Sequence, residues 1–169
     1  MTISLYDASV PVFRQMLGNL SDLLEKGEAH AKTRNFDPGN MLASRLAPDM
    51  LTLTKQVQIA CDGAKGAVAR LAGVDIPKHE DNEISMADLK ARIAKTLEFV
   101  NSITREKIDG QEDRDITIVL RDRSMQMKGL PFLMHWAFPN FFFHVTTAYN
   151  LLRHNGVEIG KKDFLGKVA

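Results

Sequence analysis

Cysteine is nearly missing from this chain of 169 residues: Cys61 stands alone. No disulfide can close within the chain, and no cysteine zinc cluster can be built. Long apolar runs are missing too. No stretch approaches the roughly 18–20 apolar residues that a membrane-crossing helix needs. The opening "MTISLYDASV" has no cationic region leading into an apolar run, so it does not read as a secretory signal. Nor is there an excess of one charge, since 22 Lys and Arg face 21 Asp and Glu. Without a basic stripe, neither nucleic acid nor an anionic membrane is an expected partner. No Ser-His-Asp order, phosphate loop, dinucleotide fingerprint or internal repeat is visible. What is present is ordinary for a globular protein: 44% hydrophobic and 25% charged residues. The length suits a single domain over 1–169. One free thiol among eight methionines suits a reducing interior, and the expected compartment is the cytoplasm.

Apolar spacing predicts long helices. Phe13, Met16, Leu17, Leu20, Leu23 and Leu24 recur at helical steps, predicting a helix over about 6–33. Pro11 falls near its start, where a missing N–H costs little. Residues 41–46 can form a short helix. A second long helix is expected from Pro48, with Asp49 suiting its first turn, to just before Gly73. Its stripe is Met50, Leu53, Val57, Ala60, Cys61, Ala64, Val68 and Leu71. Ser85 with Asp88 reads as the cap of a third helix that ends near Asp109-Gly110. "DITIVLRDRSMQMKG" reads as a β-hairpin with arms near 115–120 and 124–128, or else as an irregular loop. Pro131 can open a fourth helix, which Pro139 must kink or restart. Asn155-Gly156 stop it. Four long helices with a long last connection suggest an all-α four-helix bundle carrying a short hairpin between the third and fourth helices.

The fourth helix holds the candidate chemistry. At 100° per residue, "PNFFFHVTTAYNLLRHNG" is apolar over most of its circumference, as in a helix buried on more than one side. It is a central helix, and it can also supply a subunit seam through Phe142, Phe143, Phe132 or Trp136; a homodimer is expected. Asn140, His144 and Thr147 form a polar stripe within it. Buried polar groups need partners, so these residues point to a small-ligand pocket. Asn140 and His144, at i and i+4, also have the spacing by which a helix offers two ligands to a metal.

"HWAFPNFFFHVTTAYNLLRHNGVEIGKKDFLG" resembles the C-terminal signature of an uncharacterised bacterial domain-of-unknown-function family within the DinB/YfiT-like superfamily. "RLAPDMLTLTKQVQIACDGAKGAVARLAGV" and "SLYDASVPVFRQML" are similar to the same family, so the resemblance spans nearly the whole chain. It implies a four-helix bundle of the DinB/YfiT-like type. Metal sites in that superfamily use one histidine from the second helix and a His-x-x-x-His pair on the fourth. The resemblance puts Asn140 at the first pair position and His144 at the second, with the second-helix position near residues 56–59. Gln56 and Gln58 lie there, where either can join Asn140, His144 and Thr147 in lining the pocket, and no histidine does. One imidazole and two amides form a poor set for zinc or nickel. The expectation is therefore a degenerate metal site with no bound metal, and with His144 as the ligand if a divalent ion binds at all. The alternative is a metal-dependent transferase or hydrolase using His144.

His135, beside Trp136, is expected either to line the same cavity or to pack at a helix start. His30 and His79 read as solvated residues, and Cys61 as a core thiol lacking the electropositive setting a reactive one needs.

Overall fold

The computed structural model describes residues 3–120 and 122–167. Four long helices carry the fold: α1 (Leu5–Thr33), α3 (Leu53–Ala72), α4 (Met86–Ser102) and α7 (Phe138–His154). Between them lie α2 (Gly39–Leu42), α5 (Arg105–Ile108), β1 (Asp115–Val119), β2 (Ser124–Lys128) and α6 (Gly129–Phe132), and α8 (Lys161–Leu165) follows α7. α3 packs most extensively on α7 and α1 on α4, while α3–α4 and α1–α7 contacts close the ring around one apolar core. Phe13 of α1 meets Phe141 of α7 edge-on there, at 4.9 Å between ring centroids.

Helix ends follow local chemistry. α4 begins with a reciprocal cap: the Asp88 N–H donates to Ser85 Oγ at 3.1 Å, and the Ser85 N–H to Asp88 Oδ2 at 3.0 Å. α4 ends at Ser102, earlier than expected, because Ile103 turns extended; residues 105–108 form a separate turn of helix. α3 starts at Leu53 rather than Pro48. Thr52 Oγ1 accepts from the Lys55 N–H at 3.4 Å and caps the helix there. Residues 47–50 close a turn instead, so Asp49 is an exposed turn residue and Met50 lies outside the stripe. The short helix is Gly39–Leu42. Pro11 lies inside α1, beyond its first turn, and the helix runs through it.

The two strands pair antiparallel, with Ile116 opposite Met127 and Ile118 opposite Met125. Ile116 and Ile118 are buried, while Thr117 and Val119 are exposed, the alternation of a half-buried strand. The Leu130 N–H donates to the Glu112 carbonyl at 2.9 Å and ties the hairpin base to the start of the last helix.

Residues 129–154 are helical throughout, but Leu133–Ala137 is a π-turn in which the Phe138 N–H donates to the Leu133 carbonyl, five residues back. Pro139 follows at once. A proline cannot donate to residue i−4 and crowds its carbonyl. The wider turn takes up both problems, so the helix bulges at the point where a kink or restart was expected.

Candidate functional site

The centre of the site is a hydrogen bond between α3 and α7. His144 Nδ1 lies 2.7 Å from Gln56 Oε1. Gln56 is buried, and its Nε2 donates to the Leu51 carbonyl at 3.2 Å. That commits the amide nitrogen away from the ring and leaves the oxygen facing it. His144 Nδ1 therefore carries the proton, and the lone pair lies on Nε2. Burial holds the His144 pKa below the ordinary imidazole value, so the ring is neutral at pH 7. Phe143 packs edge-on against it at 5.2 Å.

His144 lines a cleft of about 150 Å³ between α3, the hairpin and the last helix. Asn140 sits at its mouth, exposed, with Nδ2 donating to the Trp136 carbonyl at 3.2 Å. The remaining wall includes Ile59, Gly63, Ala67 and Arg70 from α3, Ile118 from β1, and Phe132 and Trp136. The π-turn shifts the helix face between Phe132 and Asn140, so residues on both sides of it reach one cleft.

The other expected residues lie elsewhere. Thr147 is buried, and its hydroxyl donates to the Phe143 carbonyl at 2.7 Å, a bond within its own helix. Gln58 does not face His144. It projects from α3 toward the loop before α4, where Nε2 donates to Glu83 Oε2 at 2.7 Å. Two residues along a helix turn the side chain by about 200°, which separates it from Gln56. His135 is exposed and outside the cleft lining. Phe132 is buried in the core and gives no outer seam, whereas Phe143 is 55% exposed. His30 is half-buried against Phe36 rather than solvated, with ring centroids 5.8 Å apart. His79 is half-buried too, and desolvation, with Lys65, Lys95 and Arg92 nearby, lowers its pKa. Cys61 is fully buried, and burial pushes its thiol up to about 12, outside the range of a reactive thiolate.

Residue reasoning missed Arg70 and the small residues Gly63 and Ala67. Their signal was present: Ile59, Gly63, Ala67 and Arg70 form a second stripe beside the apolar one.

A divalent metal does not suit this donor set. Among the described residues no group of three or more His, Cys, Asp and Glu side chains is placed to hold one. At the His144 site one ring nitrogen is bonded to the Gln56 amide, and the one further amide lining the cleft is Asn140. Neutral amide oxygens bind zinc and nickel weakly.

The fold has a close counterpart. The crystal structure of a DinB family member protein from Shewanella denitrificans superposes with a TM-score of 0.89 at 43% sequence identity, covering 97% of this chain and 93% of that one. The protein is thus DinB-like, mostly helical with a small two-stranded antiparallel sheet. Residues 5–165 match the Domain of unknown function (DUF1993), and the chain belongs to that family. No curated protein matches it.

Proposed function

We propose that this protein is a single-domain, cytoplasmic four-helix bundle of the DinB/YfiT-like type that holds a small organic molecule in the cleft beside His144, with no transition metal. The observation that carries this is the Gln56–His144 bond at the cleft. It occupies the site where the family resemblance puts a metal, and it fixes the imidazole as a neutral acceptor at Nε2. A ligand hydroxyl or N–H is the natural donor to that atom. A π-turn beside the cleft supports the reading, since such bulges recur at functional sites. The balanced charge, the lone buried thiol and the lack, among the described residues, of a helix long and apolar enough to cross a membrane support the compartment and argue against nucleic-acid partners.

We propose a homodimer as well, with the exposed Phe143 and Met134 as its apolar contacts. Light scattering behind gel filtration reads the mass; a monomer at micromolar concentration removes the dimer.

A second reading, a metal-dependent transferase or hydrolase using His144, is favoured by the free Nε2 lone pair, which can bind a metal or accept a proton. Melting temperatures with zinc, nickel, manganese and EDTA separate the two, because a ligand that binds only the native state raises the melting temperature. Unchanged values for the protein and for His144→Ala support the metal-free site. A metal-dependent rise that His144→Ala abolishes selects the enzyme.

A further inference from the structure

Arg70 lines the far end of the cleft and also borders a neighbouring surface pocket with Asp62, Lys65, Gly66 and Glu80. α3 lends the cleft Ile59, Gly63, Ala67 and Arg70. Steps of four, four and three put them on one helix face. The small residues hollow out this wall: a Cβ added at Gly63 would meet no atom within 4 Å. Ile118, Phe132 and Trp136 supply apolar surface opposite.

Arg70 is half-buried, and its guanidinium folds back over its own helix. Nη1 donates to the Gly66 carbonyl at 3.0 Å. A Cβ on Gly66 would lie 2.7 Å from that nitrogen, so the glycine makes room for the guanidinium. Burial lowers the Arg70 pKa from its ordinary value, yet an arginine stays charged at any physiological pH. Among the described residues no carboxylate pairs with Arg70, whereas Arg92 of α4 contacts three. A partly desolvated cation without a counter-ion is held at a free-energy cost, and an anion in the cleft would offset it. One Arg70 donor serves Gly66, and the others remain for a carboxylate.

We infer that the cleft takes a small monocarboxylate with an apolar body of about one ring, its carboxylate on Arg70 and its body against Trp136, Phe132 and Ile118. The volume fits: the cleft holds about 150 Å³, and an apolar cavity of ~150 Å³ accommodates benzene. The length fits as well, since Gly63 to Arg70 spans roughly 10 Å along the helix. This inference rests on the pocket reading proposed above and adds the charge and size of the ligand.

Trp136 is the single tryptophan, so its indole N–H gives one resonance at the cleft wall. Titration with benzoate and with neutral benzyl alcohol, read at that resonance, tests the assignment. Benzoate is expected to shift it saturably, and roughly tenfold or more tighter than benzyl alcohol, the value of a charge-assisted hydrogen bond. Arg70→Gln should lose that preference while still binding the alcohol. Gly66→Ala, which displaces the guanidinium and keeps its charge, should weaken the preference. Gly63→Leu, which fills the hollow, should abolish both shifts in a protein whose circular dichroism is unchanged. Equal affinity for the two probes, or a benzoate preference that survives Arg70→Gln, overturns the carboxylate and leaves the His144 pocket standing. No saturable shift with either probe overturns the inference and the pocket together.

Discussion

α3 buries two glutamines two residues apart, and they face environments of opposite character. Gln58 joins a charge-balanced cluster. Arg92, its side chain 1% exposed, donates from Nη1 to Glu83 at 2.9 Å and from Nη2 to Asp62 at 2.8 Å, with Asp81 3.1 Å from Nη2. Lys65 adds a 2.8 Å contact to Asp62, and Lys55 one of 2.9 Å to Asp81. Three cations thus meet three carboxylates, and the loop before α4 is tied to α3 and α4. Gln56 reaches the cleft only through His144, and the cleft itself holds one neutral imidazole, an exposed amide and, at the far end, an arginine that pairs with no carboxylate among the described residues. Where charges cancel, the side chains hold the chain together. Where one is left over beside a cavity, the chain alone does not satisfy it.

The largest test removes the balance. Arg92→Met should destabilise the protein by about 3 kcal/mol, since breaking a buried pair strands its partners, here chiefly the buried Glu83. Urea unfolding measures it. A loss under ~1 kcal/mol would mean that the carboxylates simply re-solvate, and the contrast between the two faces would collapse.

Next comes the glutamine pair. Gln58→Ala deprives a buried carboxylate of a donor and should cost about 2 kcal/mol, whereas Gln56→Ala breaks a neutral bond and should cost about 1 kcal/mol. The reverse order would place the structural cluster on the cleft side. Gln56→Ala also releases the His144 tautomer, which nitrogen-15 shifts of the imidazole would show.

pH sharpens the contrast with smaller effects. Burial alone would raise the Glu83 pKa, but hydrogen bonds from Arg92 and Gln58 outweigh it, and the net pKa lies below the ordinary carboxylate value. Its stabilisation is present above the unfolded value, ~4.3, and is lost as pH falls through the folded one. Arg92→Met should flatten that acid limb. His144 acts at higher pH. Its folded pKa is depressed by burial, so its contribution is complete above the unfolded imidazole value, ~6.5, and erodes as pH falls from there through the folded pKa. His144→Gln, which keeps a polar group opposite Gln56, should lose less stability than the native protein between about pH 7 and 5. Identical slopes would place His144 in a more solvated setting than its contacts indicate.

Much of the fold is legible in the sequence. The helical steps of Phe13 to Leu24 and the Ser85-Asp88 cap are local signals, and the structure follows them. The start of α3 was not legible, because Pro48 and Thr52 are both good helix openers and the competition is settled by a turn at 47–50. Of the six candidate site residues, Asn140, His144 and Gln56 meet at or beside the cleft. Thr147, Gln58 and His135 do not join them, since a helical wheel gives direction about one axis and says nothing of what stands opposite.

The sequence by itself determined that there are four long helices, that Cys61 is core, and that a polar stripe runs through an otherwise apolar last helix. Periodicity and capping act within a few residues, so they can be read from order alone. Tertiary structure decided that Gln56 rather than Gln58 meets His144, that Pro139 is absorbed by a π-turn, and that Arg70 looks into a cavity while Arg92 is neutralised. Each of these depends on which face of one helix is turned toward another. That choice is made by packing across the core, between residues far apart in the chain.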